Sequence, residues 1–385
     1  MQHIERKGMK KNNQQLQTIA VHGSNDTNES YSDVIQPIHL STTFERKKDG
    51  SLNEYSYTRS GNPNRLMVEN KIAAIEGATM AVAFSSGLAA VNAIFENVLL
   101  SGDHVIMPDD CYHGTRSLLD KFFKRRNISF DQTDMTEISN IEKLIKKETK
   151  LIWIESPSNP QLKIADIKAI ASLAKSHHII TACDNTFATP LLQKPLEMGI
   201  DFVMHSSTKF FSGHSDILGG IVCTNHQNEI SNNIRDYQIT AGAVPSPFDC
   251  WLLNRSLATF PLRFATQCST AFAIAMILEN HPSIEKVFYP GLPSHKNHDI
   301  ATQQMTNGFG GIISVLIKGG KTEALNFASK LNIFKHATSL GGVESLVEHR
   351  RSVEGDHPIS PDNLIRISIG IEHVDDLKND LLQAL

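Results

Sequence analysis

A repeated change of period most limits the folds open to this chain of 385 residues. Short apolar runs recur at residues 81–84, 104–107, 151–154, 179–183, 201–205 and 220–223, and helix-like stretches separate them. The clearest of those stretches, residues 164–173, is apolar at every third position and runs directly into Ile179-Ile180. Parallel strands need long crossovers, which helices supply, so this alternation predicts an α/β domain with a mostly parallel sheet covered on both faces. In such sheets ligands collect beyond the carboxyl ends of the strands, and the residues after each run therefore matter most.

The texture changes on either side of this core. Asn62-Pro63 has the form of a helix start. The first fifty residues are polar and turn-rich apart from Val34-Ile35-Gln36-Pro37-Ile38, and read as an arm that packs elsewhere. Beyond Val244-Pro245-Ser246-Pro247 come a long helical stretch at 251–279, kinked at Pro261, and strand-like 311–317. Helical 322–331, strand-like 364–371 and an amphipathic end at Val374, Leu377, Leu381 and Leu382 complete a second, smaller α/β domain. The expected division is an arm at 1–52, a large domain at 53–245 and a small one at 246–385.

Composition removes several function classes. Lys and Arg number 37 against 41 Asp and Glu, with no basic block, which argues against gripping nucleic acid. No apolar run approaches the roughly 18 residues of a membrane span. The charged, amide-rich start lacks the apolar stretch of a signal peptide. Five scattered cysteines without a CxxC pair suit neither a disulfide framework nor zinc, and indicate a reducing, cytoplasmic setting. The 17 histidines show no metal spacing, so no metal is expected.

Three features carry chemistry. Asp184 follows the 179–183 run at a strand's carboxyl end, where a half-buried carboxylate needs a cation or strong donors; a turn cap is the plainer alternative. Ser206-Ser207-Thr208-Lys209 follows the 201–205 run. A partly buried lysine there has a lowered pKa and becomes a nucleophilic amine, unless it is a solvated surface lysine. Ser85-Ser86-Gly87-Leu88 opens a helix after the 81–84 run, a place where backbone amides meet an anion. A helix start for a phosphate, a carboxylate for a ring nitrogen and a lysine for an aldehyde are the three handles of pyridoxal 5′-phosphate (PLP).

Ser206-Ser-Thr-Lys209 followed by Gly213-His-Ser-Asp216 resembles the lysine motif of the PLP-dependent enzymes of cysteine and methionine metabolism. Further motifs lie in that family's order: Tyr57-Thr-Arg59-Ser-Gly-Asn62-Pro63, Asp110-Cys-Tyr112, Glu155-Ser-Pro-Ser-Asn159-Pro160, Asp184-Asn-Thr-Phe187, Ser339-Leu-Gly-Gly342 with Glu344-Ser345, and Leu364-Ile-Arg366-Ile-Ser-Ile-Gly370. The resemblance runs from about residue 17 to the end. It implies a fold-type I, aspartate aminotransferase-like transferase fold, with a large, mostly parallel sheet domain and a smaller C-terminal α/β domain.

The resemblance also implies roles. Lys209 holds PLP as an aldimine and shuttles protons, Asp184 pairs with the ring nitrogen, and Tyr112 stacks on the ring near the leaving group. Ser86, Gly87, Leu88, Ser206 and Thr208 hold the phosphate, while Tyr57 and Arg59 reach it from a neighbouring subunit, implying a homo-oligomer, an active dimer doubled into a dimer of dimers. Asn159 lies by the cofactor's O3′, and Ser339 and Arg366 bind the carboxylate of an amino-acid substrate. On the residues alone, the plainer alternatives are an interstrand ion pair for Arg366, a half-buried core aromatic for Tyr112, a turn tyrosine for Tyr57 and a loop cation for Arg59.

The implied reaction is removal of the α-proton, then elimination or replacement at the β or γ carbon. Residues 289–311 and Thr186-Phe-Ala-Thr-Pro190 are most similar to the cystathionine γ-synthases, which join an O-acylated homoserine to cysteine. Cystathionine γ- and β-lyases are the alternative, with methionine γ-lyase behind them, and a non-catalytic scaffold of the same fold is the reading from a different class. Two departures stand out: Thr338 where many relatives carry Glu, and Arg350-Arg351 where many carry a proline and a short loop. Those arginines meet either a substrate's distal carboxylate or solvent.

Overall fold

The computed structural model describes residues 14–23, 33–355 and 358–385. Seven strands form the larger sheet: β1 Met80–Phe84, β2 His104–Pro108, β3 Ser129–Thr133, β4 Thr149–Glu155, β5 Ile180–Asp184, β6 Phe202–His205 and β7 Gly220–Thr224, in the order β1-β7-β6-β5-β4-β2-β3. From β6 to β3 every pairing is parallel, and β7 runs antiparallel to both β6 and β1. The mostly parallel α/β sheet expected from the alternation is present.

Strand β4 shows how both faces are covered. Leu151 and Trp153 pack on one side with Ala90, Val91, Ile94 and Phe95 of helix Gly87–Val98. Ile152 and Ile154 pack on the other with Ile167, Ile170, Ala171 and Ala174 of helix Ile167–Ser176. Alternate residues of one extended strand thus feed two cores, which is why these runs read as continuously apolar. Strand β3 produced no such run, because Ser-Phe-Asp-Gln-Thr lies at the sheet edge with its residues partly or fully exposed.

A second, five-stranded sheet uses β8 Ile284–Phe288, β9 Ile312–Ile317, β10 Lys335–His336, β11 Leu346–His349 and β12 Leu364–Ser368, in the order β10-β11-β12-β9-β8. Helices Lys321–Lys330 and Val374–Ala384 cover it through Ala324, Phe327, Leu377 and Leu381.

Local chemistry moved several expected boundaries. The helix anticipated from residue 164 starts at Ile167, because the Asp166 side chain accepts from the Ala169 amide at 2.9 Å and caps it there. The stretch 251–279 is two helices, Pro247–Leu257 and Phe260–Glu279, and Pro261 opens the second instead of kinking one. That second helix is long and apolar enough to cross a bilayer, yet Phe260, Phe264 and Cys268 enter one core while Ala271, Ile274 and Leu278 enter another, so it joins the two layers. Helix Pro63–Glu76 opens as its sequence predicts: the Asn62 side chain accepts from Asn64 and Arg65, and Gly77 closes it at φ +76°.

Part of the arm lies outside the described residues. The rest includes an unanticipated helix, Leu16–His22, whose Ile19 and Ala20 enter the main core. The apolar island does not pack: Val34 is 89 % exposed and Ile35 65 %. Its backbone is anchored instead, with Trp251 donating to the Gln36 carbonyl and Asn64 to that of Pro37.

Candidate functional site

Adjacent parallel strands bring two carboxyls together at their carboxyl ends. Asp184 closes β5 as its last residue, one position earlier than a turn residue would stand, and lies in register with Glu155 at the end of β4. Asp184 accepts from the Thr186 amide at 3.0 Å, and among the described residues no cation is bonded to it. Burial pushes its pKa up, and the Thr186 hydrogen bonds and the charges of His205 and Lys209 pull back. Glu155 accepts from the Tyr112 amide at 3.0 Å. Its burial, then the neighbouring Asp184, drive its pKa well up.

Lys209 stands in the turn after β6. The turn is closed by Gly213 N donating to the Lys209 carbonyl at 2.8 Å. Buried Arg263 clamps it by donating to the carbonyls of Phe210, Phe211 and Ser256 at 3.0, 3.2 and 3.0 Å. Gly213, at φ +65°, leaves room for that guanidinium: a Cβ there would fall 1.7 Å from Arg263 Nη1. The Lys209 ammonium donates to Ser339 Oγ at 3.1 Å. Burial first, then repulsion from Arg366, lowers its pKa to about 8. The solvated-surface alternative is thereby excluded.

The smaller sheet supplies the opposite wall. Arg366 on β12 is 3 % exposed and donates to Asn159 Oδ1 at 3.0 Å and to the Ser339 carbonyl at 3.1 Å. It also donates to Glu348 Oε2 at 2.6 Å, from the position directly across the strand pair on β11. The interstrand ion pair is therefore real, and it coexists with donors turned towards Ser339 and Asn159. Burial, then Arg350, depress the Arg366 pKa to about 10. Ser339 sits at φ +102°, a strained backbone that a non-glycine residue adopts only when its surroundings impose it.

At the third edge, Ser86 caps helix Gly87–Val98 by accepting from Ala89 N at 3.1 Å, which leaves the Gly87 and Leu88 amides without intrahelical acceptors. A Cβ on Gly87 would lie 3.1 Å from both Cβ and Oγ of Ser206, so the helix start and that side chain close on one point. The Thr208 hydroxyl, by contrast, is engaged with the Gly219 backbone at 3.2 and 3.0 Å. Tyr112 is 37 % exposed and is no core aromatic; burial of the rest of its ring raises its pKa against the pull of Arg350 and Arg366.

Tyr57 and Arg59 stand apart from this group. Tyr57 is 45 % exposed, with the Arg59 guanidinium 5.8 Å from its ring centre, and Arg59 donates to the Ile239 carbonyl at 2.7 Å. The two unexplained arginines also separate. Arg351 faces outward onto Asp362 at 2.7 Å, whereas Arg350 is 3 % exposed and donates to Glu348 at 2.5 Å.

Sequence reasoning gave no role to Glu155, Glu348 or Arg263, and offered Arg350 a substrate's distal carboxylate or solvent, whereas the structure buries it on Glu348. Glu155 carried a signal, an acid ending an apolar run like Asp184. Glu348 and Arg263 carried none, since each acquires its partners through strand register or the packing of a distant helix.

A family model described as Cys/Met metabolism PLP-dependent enzyme matches residues 17–385. The chain is 43 % identical over 374 residues to a cystathionine gamma-synthase of Mycobacterium bovis, covering 96 % of each. It is 42 % identical over 383 residues to a cystathionine gamma-lyase of Dictyostelium discoideum, covering 97 % of this chain and 98 % of that one. The crystal structure of metB from Corynebacterium glutamicum superposes with a TM-score of 0.95 at 40 % identity, covering 98 % of this chain and 99 % of the other.

Proposed function

This chain belongs to the Cys/Met metabolism PLP-dependent enzyme family, and from that premise we propose that it joins an O-acylated homoserine to cysteine, the reaction of a cystathionine γ-synthase. The observation that carries an active enzyme is the line from the Lys209 amine through Ser339 to the Arg366 guanidinium, at 3.1 Å for each hydrogen bond. It puts a proton acceptor beside a receptor for a substrate carboxylate. Similarity across the full chain to a relative named for the synthase supports the choice of reaction.

The residues fit the family's cofactor. Buried Asp184 has no ion-pair partner among the described residues and suits a protonated ring nitrogen. The free amides of Gly87 and Leu88, closed against Ser206, suit a phosphate. Bound PLP supplies an electron sink for the charge left on the substrate's carbons.

The chain's own groups do the rest. Lys209 Nζ anchors the cofactor and then takes the α-proton and returns it further along the substrate, a task suited to an amine with a pKa of about 8. Arg366 grips the α-carboxylate with its planar fork, oriented by Asn159. Tyr112, whose backbone is held by Glu155, covers the ring face. Thr208 contributes once its hydroxyl turns from Gly219. Tyr57 and Arg59, exposed and unconnected to this site in their own chain, serve the phosphate of a neighbouring copy, which makes the enzyme a homo-oligomer with shared sites. Five buried free cysteines suit a cytoplasmic setting.

Product analysis tests the reading. O-acetyl- or O-succinylhomoserine with cysteine is expected to give cystathionine. Rapid pyruvate or 2-oxobutanoate from cystathionine alone would overturn it in favour of a lyase, a reading supported by similarity of the same extent to a relative named cystathionine gamma-lyase. Cofactor-loaded protein should show a visible absorption band that borohydride abolishes and Lys209→Ala lacks.

A further inference from the structure

Three charged side chains meet beneath the proposed substrate-carboxylate site, and their number is odd. Arg366 Nη2 and Arg350 Nη1 donate to the same oxygen, Glu348 Oε2, at 2.6 and 2.5 Å. All three residues are buried, at 3 % exposure for each arginine and for Glu348. The Thr338 hydroxyl beside this carboxylate adds no charge. Lys209, Tyr112 and His113 face the cluster and feel its arginines. Among the described residues, two guanidiniums on one carboxylate leave one positive charge without an ion-pair partner, in a place where an unpaired charge is expensive. Arg350 Nε is moreover fully buried with no acceptor among the described residues.

We propose that Arg350 is a positioning residue for substrate binding: by taking a share of Glu348, it keeps Arg366 from being neutralised by its own cross-strand partner and leaves the cluster one positive charge, the complement of a single α-carboxylate. Without Arg350, Glu348 and Arg366 form a closed one-to-one pair, and an incoming carboxylate meets a neutral site and a competing anion. Arg350 acts through Glu348, and Arg351, turned outward onto Asp362, takes no part. The inference rests on the preceding assignment of Arg366 to the substrate carboxylate.

Charge-swap variants of the cofactor-loaded enzyme test it, with glycine as the probe, since it carries one carboxylate and no distal group. Glycine binding is measured by calorimetry beside the KM for O-succinylhomoserine, which carries a distal carboxylate. Arg350→Gln should weaken glycine by about tenfold or more, as expected for a lost charge-assisted contact. Arg350→Lys should hold within about threefold, because it conserves charge. The decisive variant is Glu348→Gln with Arg350→Gln, which removes one charge of each sign and should restore glycine binding. Failure of that double variant to recover, while Arg350→Gln is weak, would make Arg350 structural and overturn the proposal. Unchanged glycine affinity in Arg350→Gln with a raised KM for O-succinylhomoserine would overturn it in favour of direct contact with a distal carboxylate. Arg366→Gln separates the two layers: if it leaves glycine binding intact, the underlying assignment fails as well, whereas if it alone abolishes binding, only the role of Arg350 falls.

Discussion

The amine of Lys209 should govern the pH at which the cofactor-free protein captures PLP. Burial is the main cause of its lowered pKa and Arg366 the second, with Asp184 opposing them. With a pKa of about 8, about a quarter of the amine is neutral near pH 7.5, against about one part in a thousand at the ordinary 10.5, a gain of about two hundredfold in nucleophile. Stopped-flow absorbance after mixing protein with PLP should give a rate that rises to a plateau with a midpoint near pH 8. Arg366→Gln removes the second cause, so its midpoint should move upward; the cofactor's own titrations are common to both proteins and cancel in the comparison. Stability gives an independent reading with a definite sign. Between about 8 and 10.5 the unfolded chain holds a proton on Lys209 that the folded chain has released, so this residue's contribution to stability rises with pH across that window. A midpoint at or above pH 10, or one that Arg366→Gln leaves in place, would refute the reasoning.

Asp184→Asn should leave the fold intact by circular dichroism while lowering kcat by about a hundredfold or more, because a neutral amide cannot stabilise a protonated ring. Glu155→Gln should keep activity within about threefold, since burial and the neighbouring Asp184 push its pKa up and favour the neutral form; a loss as large as that of Asp184→Asn would mean that Glu155 works as an anion. Gly213→Ala forces a Cβ to within 1.7 Å of Arg263 at φ +65°, and should cost about 2 kcal/mol or more, read as a lower denaturant midpoint with a parallel loss of PLP capture. Trp153→Ala, emptying a site with no exposure against Phe95, should cost about 3–5 kcal/mol by urea titration.

Much of the fold was legible because hydrophobic period is local information. Six of the seven strands of the larger sheet left apolar runs, and caps such as Asn62 and Gly77 mark helix ends within a few residues of sequence. Edge strand β3, half in solvent, had no reason to be apolar. Asp184, Lys209 and the Ser86 helix start were legible for a related reason: a costly polar residue placed directly after a buried strand is conspicuous wherever the strand lies.

Taken alone, the sequence determined an α/β chain with a large, mostly parallel sheet and a second, smaller α/β part, the family it resembles, and the candidate residues for a cofactor. Tertiary structure alone decided what those residues face. Register placed Glu155 beside Asp184, pairing across β11 and β12 set Glu348 on Arg366, and a helix fifty residues downstream put Arg263 on the Lys209 turn. Electrostatic character depends on distance and burial in space, and neither is fixed by separation along a chain. Arg350 and Arg351 make the point as neighbours in sequence: one is buried on a shared carboxylate, the other turned outward onto Asp362.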